Sequence, residues 1–306
     1  MADPQKPVPD PKSVQELEAL LPDPGHDGYV FFENAANVPL EKSLDFRDRN
    51  SWGLMDISYL AYATDGAYAI DQLQKVNLTG AVFGFDRNDP PHILVAHNND
   101  FIVIAFRGTR VQDLPDILAD IAFLPESTNN GFVHSGFQKA FLAGGIWDQA
   151  KEHVAGIAGD QMILFSGHSL GAALATLARR AYRDPKGRSQ ALYTFGSPRV
   201  GDELIFCPNY PPNAYRIVND QDLVTHVPTP PLYGHVGTPY GVDGKPLPGD
   251  TWNQLEHRFA DAASALAVFS LASRKQLLAD YFAHQPLQPL IDHAPKSYAA
   301  KIWNSL

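Results

Sequence analysis

The chain has 306 residues, of which 44% are hydrophobic and 19% charged, and its formal net charge is −10. This composition is typical of a globular protein with a large apolar core, whereas the negative charge argues against nucleic acids and strongly anionic membranes as partners. A single cysteine excludes an internal disulfide framework, and no run of about 18 apolar residues that would predict a transmembrane segment occurs in the sequence.

The first 25 residues are rich in proline and acidic groups, and we expect residues 1–25 to be extended and poorly ordered. They lack the apolar core of a signal peptide. Three alternatives for the location of the protein follow. It is cytoplasmic, it is secreted by a leaderless route, or it is secreted with a leader that has been removed. Residues 26–306 contain no internal repeat or clear linker and are expected to form one domain, as α/β folds of this length often do.

Helical and strand-like patterns alternate along the rest of the chain. A helical pattern covers residues 45–63. Three strand-like runs follow at residues 81–86, 92–97 and 101–106, and the Asn-Asn-Asp turn between the last two favours a hairpin. The later predicted strands are residues 162–165, 191–195, 215–218 and 235–240. The later predicted helices are residues 136–158, 170–181, 255–284 and 297–303. This alternation predicts an α/β fold in which helices flank a mostly parallel central sheet.

The segment around Ser169 has the pattern Gly-x-Ser-x-Gly, formed by Gly167, Ser169 and Gly171. An apolar strand pattern precedes it and an amphipathic helical pattern follows it, and in this context the motif indicates a nucleophile elbow. A hydroxyl at the apex of such a turn stands clear of the backbone at a helix N-terminus, where the helix dipole favours developing negative charge. The alternative interpretation is an ordinary Gly-Ser loop before an amphipathic helix.

A serine hydroxyl becomes a useful nucleophile only when a base takes its proton, and the base in turn needs an acid that orients it. In α/β-hydrolases these residues follow in the order serine, acid, histidine. Asp220 and Asp222 follow the predicted strand 215–218 and are the candidate acids, with solvated turn residues as the alternative.

Five histidines follow the candidate acids and could act as the base. Two of them lie in helical patterns, and His226 is too close to Asp222 to favour a catalytic role. His293 is favoured by its position, since it lies late in the chain, in a predicted loop after the last strand. The five histidines are His226, His235, His257, His284 and His293.

Five sequence blocks share a pattern: residues 104–109 (IAFRGT), 133–137 (VHSGF), 167–175 (GHSLGAALA), 193–202 (YTFGSPRVGD) and 222–228 (DLVTHVP). Together they resemble the class 3 lipase family, the fungal-type triacylglycerol lipases with an α/β-hydrolase fold. They occur in the family's order, and the resemblance covers roughly residues 50 to 300. The chain departs from the family at Thr225, where the family usually has proline, in the proline-rich residues 286–295 around His293, and in the predicted helix 255–284.

The resemblance implies that Ser169 is the nucleophile, that Asp222 rather than Asp220 is the acid, and that His293 is the base. An oxyanion hole needs donors aimed at the developing negative oxygen. The backbone N–H of Leu170, which follows the nucleophile, is one expected donor, and by resemblance Thr109 supplies the other. His134 and His168 also match family positions, and we interpret both as packing residues with hydrogen-bonding roles.

The family places its lid at residues 110–122. A short two-faced helix there could cover the site in water and turn its apolar face to lipid; the alternative is a surface helix packed permanently on the core. The acidic face fits solvation better than calcium binding, so neither a metal nor a cofactor is predicted. Apolar residues on one face of this segment are Val111, Leu114, Ile117, Leu118 and Ile121, and acidic residues on another are Asp113, Asp116 and Asp120.

These features together predict a carboxylic-ester hydrolase that acts on acylglycerols at an oil–water interface through a Ser-His-Asp triad. Phospholipase A1 and feruloyl-type esterase activities are the alternatives on the same site. A catalytically silent lipid-binding protein is the alternative from a different class, since fold does not imply function. No nucleic-acid partner is expected, and the oligomeric state is not assigned.

Overall fold

The computed structural model describes residues 5–11, 22, 24–85, 91–109, 125–128, 131–228, 230–248 and 288–306. The predicted lid, residues 110–122, and the predicted helix 255–284 lie outside the described residues. Within the described parts of the chain, no helix is long and apolar enough to cross a membrane.

A seven-stranded sheet forms the centre of the described part of the protein. The strands of this sheet and of a separate hairpin are β1 (Thr79–Phe83), β2 (Ile93–His97), β3 (Phe101–Phe106), β4 (Pro125–Thr128), β5 (Gly131–His134), β6 (Met162–His168), β7 (Gln190–Phe195), β8 (Ala214–Val218) and β9 (Thr238–Gly241). The order in the sheet is β1-β2-β3-β6-β7-β8-β9, with antiparallel pairing from β1 to β3 and parallel pairing from β3 to β9. The hairpin consists of β4 and β5.

Helices cover both faces of the sheet, which explains why the central strands β3 and β6 are buried along their whole length. Among the described residues, the helices are α1 (Asp48–Leu60), α2 (Gly66–Gln74), α3 (Ser135–Leu142), α4 (Ile146–Gly156), α5 (Leu170–Ala181), α6 (Gln288–His293) and α7 (Pro295–Ser305). One apolar cluster lies between the sheet and α1, α2 and α7, and the other lies between the opposite face and α3, α4 and α5.

The structure confirms the predicted α/β class and mostly parallel sheet. The predicted continuous helix 136–158 is wrong, since two helices separated by the 3₁₀ turn Ala143–Gly145 occupy this region. The physical reason is that Gly144 and Gly145 both have φ of 65°, a left-handed conformation that ends a right-handed helix. The helix α2 and the hairpin β4–β5 were not predicted.

Lys6 holds part of the N-terminal segment against α7. Its backbone N–H donates to Asn304 Oδ1 at 2.7 Å, and its carbonyl accepts from Asn304 Nδ2 at 2.9 Å. The Lys6 ammonium lies 4.0 Å from the centre of the Tyr29 ring. Burial lowers the pKa of Lys6, while the Asp56 and Glu33 carboxylates act in the opposite direction. These contacts anchor residues around Lys6 to the face of the sheet that α1 and α7 cover.

Candidate active site

Ser169 occupies the turn between the buried strand β6 and the helix α5, as the Gly-x-Ser-x-Gly motif predicts. Its backbone has φ of 59° and ψ of −128°, a combination that costs a residue with a Cβ roughly 1–3 kcal/mol and persists only where its surroundings impose it. The Ser169 N–H donates to the Phe195 carbonyl on β7 at 3.0 Å. The serine is therefore fixed by the backbone of the neighbouring strand.

The two motif glycines are required by direct contact between backbone segments. A Cβ on Gly171 would lie 2.1 Å from the Phe106 carbonyl oxygen at the end of β3. A Cβ on Gly167 would lie 2.2 Å from the Gly171 carbonyl oxygen. Both distances are far below van der Waals contact, so only glycine lets strand, elbow and helix pack this closely.

The structure brings Ser169, His293 and Asp222 together, although 124 residues separate the serine from the histidine. His293 Nε2 lies 2.9 Å from Ser169 Oγ, and His293 Nδ1 lies 2.8 Å from Asp222 Oδ1. An ionised carboxylate accepts hydrogen bonds only, so the Nδ1–H donates to Asp222 and Nε2 is left to accept the serine O–H. All three side chains are almost completely buried. This is the geometry of a base held by an acid and directed at a hydroxyl.

Asp222 is held by two further donors. The Tyr298 hydroxyl donates to Asp222 Oδ2 at 2.6 Å, and the Val224 N–H donates to Oδ1 at 2.9 Å. Burial opposes ionisation of Asp222, but the charge and hydrogen bond of His293 and the Tyr298 hydroxyl outweigh it, and the pKa of Asp222 lies below its ordinary value. Asp222 is thus the charged partner of His293 despite its burial.

His168, next to the serine, lies against the base without facing the nucleophile. Its Nε2 lies 2.7 Å from the His293 carbonyl oxygen, so this nitrogen carries the proton, and its Nδ1 accepts from the Tyr62 hydroxyl at 2.8 Å. Burial, with a smaller effect of the neighbouring His293, lowers the pKa of His168 to about 3. His168 is therefore a neutral hydrogen-bonding residue, as predicted. His134 is buried with its ring centre 4.5 Å from that of Phe137, which agrees with the predicted packing role.

The expected oxyanion donors lie on either side of the serine. Leu170 is the first residue of α5, so its N–H belongs to the helix end where backbone donors lack intrahelical partners. On the other side, a Cβ on Gly108 would lie 3.1 Å from Ser169 Cβ, which places the loop after β3 against the elbow. Thr109 follows on this loop, and its buried hydroxyl has no hydrogen-bond partner among the described residues.

The other candidate acid and bases take part in different contacts. Asp220 is exposed and lies 3.2 Å from the Lys301 ammonium. His235 is half-buried, and its Nε2 lies 2.8 Å from the Thr225 carbonyl oxygen. His226 ends a short 3₁₀ helix, Leu223–His226. His257 and His284, like the lid residues, lie outside the described residues.

His293 is the last residue of the short helix α6, so its predicted placement in a loop is wrong. Pro289 lies in the first turn of α6, where its missing N–H is not needed. Sequence reasoning also missed the residues that support the acid and the base, because they belong to no motif. These supporting residues are Tyr62, Asn219, Asp292 and Lys301.

Comparison with known proteins gives the same family as the sequence blocks. The family described as Lipase (class 3) matches residues 103–231. The chain is 31% identical over 181 residues to the secreted mono- and diacylglycerol lipase A of Penicillium cyclopium, a match that covers 55% of this chain and 58% of that protein. The chain thus spans less than two thirds of the length of this relative.

Two solved structures share the fold. A crystal structure of a mutant MDLA from Penicillium cyclopium aligns with a TM-score of 0.51 and 23% identity, over 69% of this chain and 83% of that one. The lipase from Rhizopus microsporus var. chinensis aligns with a TM-score of 0.52 and 19% identity, over 71% and 83% of the two chains. The family match, the similar sequences and the shared architecture agree: the chain has an α/β-hydrolase fold, and its residues 103–231 match the class 3 lipase family.

Proposed function

We propose that the protein is a serine carboxylic-ester hydrolase that acts on acylglycerols. The observation that carries this proposal is the pair of contacts made by His293, whose Nε2 lies 2.9 Å from Ser169 Oγ while its Nδ1 lies 2.8 Å from Asp222. This arrangement can deprotonate a serine hydroxyl as it attacks an ester carbonyl. The choice of acylglycerols follows from the mono- and diacylglycerol lipase among the relatives.

In the proposed mechanism, Ser169 attacks the ester carbonyl while His293 takes its proton. Asp222 holds the imidazole in the required tautomer and stabilises the imidazolium that forms. The tetrahedral oxyanion is stabilised by the N–H of Leu170 and by the N–H or the hydroxyl of Thr109. The loss of one such donor costs about 3 kcal/mol of transition-state stabilisation. The alcohol leaves with the proton from His293, and water then releases the fatty acid from the acyl-serine.

The lipid surface is the proposed site of action. Residues 110–122 are the proposed lid, and their apolar residues include Val111, Leu114 and Ile117. A lid of this kind would uncover the site when its apolar face meets lipid. Activity should then rise once the substrate exceeds its solubility limit, whereas a simple esterase would show no such rise.

The central test compares Ser169→Ala with Ser166→Ala. Ser166 is a second buried serine, three residues earlier on β6, whose hydroxyl pairs with Ser58 at 2.6 Å. We expect Ser169→Ala to lose about 10⁴-fold or more of the turnover of an emulsified diacylglycerol, while Ser166→Ala keeps the same order of activity. Near-normal activity of Ser169→Ala would remove this serine from the mechanism.

Two further measurements separate this function from its alternatives. A fluorophosphonate probe should label the wild-type protein and Ser166→Ala but not Ser169→Ala, since an idle serine lacks activation. Absence of labelling in the wild type would favour a silent lipid-binding protein. Turnover of acylglycerols should exceed that of phospholipids and feruloyl esters; the reverse order would assign the site to one of those substrates.

A further inference from the structure

The acid and the base belong to two segments that a single lysine connects. The acid loop, residues 219–222, follows β8, and the base ends the helix α6. Lys301 on α7 reaches both segments. Its ammonium lies 2.8 Å from Asn219 Oδ1 and 3.2 Å from Asp220 Oδ2 on the acid loop, and 2.9 Å from Asp292 Oδ1 beside the base. An ammonium has three N–H donors, and these three acceptors account for all of them.

Among the acceptors of Lys301, Asp292 is the one that lies beside the base. Its side chain is fully buried and is directly joined in sequence to His293. Besides Lys301, its carboxylate accepts from Gln288 Nε2 at 2.7 Å and from the backbone N–H of Gln221 at 3.1 Å. A buried carboxylate needs a paired charge as well as hydrogen bonds, and Lys301 supplies that charge to Asp292 at the point where Asp292 joins α6 to the acid loop.

Asn219 completes the connection from the acid loop. Its side-chain amide donates to the Asp292 carbonyl oxygen at 2.8 Å, and its backbone N–H donates to the Tyr298 hydroxyl at 3.0 Å. That hydroxyl in turn donates to Asp222. Tyr298 and Lys301 are three residues apart on α7, and therefore lie on the same helix face. One face of α7 thus holds both the acid and the residue beside the base.

We infer that Lys301 is a positioning residue, which sets the separation of Asp222 and His293 by binding Asn219, Asp220 and Asp292 at once. It contacts no reacting atom, so its effect on catalysis passes through the acid–base pair. Misplacement of a catalytic group by about 1 Å can reduce the rate about 100-fold. The inference about rate rests on the proposed hydrolase function, whereas the inference about geometry does not.

The test compares Lys301→Met with Lys296→Met in the full-length protein. Lys296 lies on the same helix and donates to the Asp27 carbonyl oxygen at 2.6 Å, away from the acid loop, so Lys296→Met controls for the loss of a lysine from α7. We expect kcat for a soluble short-chain ester to fall about 10- to 100-fold in Lys301→Met with little change in KM, and to stay near wild type in Lys296→Met. Lys301→Arg should recover part of the loss, because it keeps the charge and the donors.

Two readouts distinguish positioning from a general loss of stability. Proton NMR of the His293 Nδ1–H, which donates to Asp222, should show a shifted or broadened signal in Lys301→Met and an unchanged signal in Lys296→Met. Since this signal does not require turnover, it tests the geometry even if the proposed hydrolase activity is absent. The double variant Lys301→Met with Asp292→Asn removes the uncompensated buried charge, so it should recover thermal stability while kcat stays low.

A normal kcat per folded molecule in Lys301→Met, or in the double variant, would overturn the inference. An Nδ1–H signal in Lys301→Met identical to that of the wild type would also overturn it, because the distance between Asp222 and His293 would then be independent of Lys301.

Discussion

Ser169 and His293 meet at one oxygen atom, but the two sides of the site are held in different ways. On the serine side, backbone packs against backbone, through Gly167, Gly171 and the ends of β3 and β7. On the histidine side, polar side chains hold segments that lie far apart in the sequence. The comparison indicates that the nucleophile depends on shape, whereas the orientation of the base depends on hydrogen bonds and charge.

The largest of the three effects is expected for a substitution on the serine side. Gly171→Ala would place a Cβ about 2.1 Å from a backbone oxygen, which no rotamer change can relieve. We expect a loss of about 3 kcal/mol or more in the free energy of unfolding, with loss of activity. Denaturant unfolding measures the change. The control is Gly156→Ala at the end of α4, where a Cβ would contact nothing within 4 Å, and this variant should be neutral. A fully stable and active Gly171→Ala protein would contradict the importance of backbone packing.

The next effect concerns pH and the buried His168. Its pKa of about 3 in the folded state lies below the value of about 6.5 expected when unfolded. As pH falls from about 6.5 towards 3, the unfolded chain binds a proton at this residue while the folded protein does not, so stability decreases. One such group contributes a slope of about 1.4 kcal/mol per pH unit. Urea unfolding measured between pH 6 and pH 4 gives the free energy of unfolding at each pH. This free energy should decrease less with falling pH in His168→Asn than in the wild type. An equal decrease in both proteins would mean that His168 takes up its proton without unfolding.

The smallest of the three effects concerns the Tyr298 hydroxyl. Tyr298→Phe removes one donor from the Asp222 carboxylate, and hydrogen bonds to charged groups contribute about 1.5–3 kcal/mol. Since His293 and the Val224 N–H still hold Asp222, we expect kcat to fall only about tenfold, near the low end of that energy range. Steady-state kinetics provides the measurement. Tyr215→Phe is the control, because its hydroxyl donates to the Leu44 carbonyl oxygen at 2.6 Å, away from the triad. A similar kcat loss in both variants would point to a general structural effect.

The difference between the serine side and the histidine side of the site also explains what the sequence could predict. The elbow was predictable because its strand, turn and helix are consecutive and its glycines appear in one motif. The α/β class was predictable because most strands of the central sheet and several of its flanking helices have a recognisable pattern of their own. The break at Gly144 and Gly145 was missed because it depends on backbone dihedral angles within an otherwise helical pattern.

The base side was less accessible to sequence reasoning. Asp222 and His293 were assigned by resemblance, since position along the chain left other carboxylates and histidines open. Asp292 and Lys301 were missed because a half-buried lysine and a buried aspartate are not distinguishable in sequence from surface charges. Only the fold, which brings α6, α7 and the loop after β8 together, shows their contacts.

The partners of Asp222 also bear on how many protons move during the proposed reaction. Oδ1 already accepts from His293 and Val224, and Oδ2 accepts from Tyr298. A carboxylate so fully engaged in accepting has little capacity to capture the Nδ1 proton as well. Acylation should accordingly involve the transfer of one proton between the oxygen of Ser169 and Nε2 of His293, while the aspartate remains an ionised counter-ion.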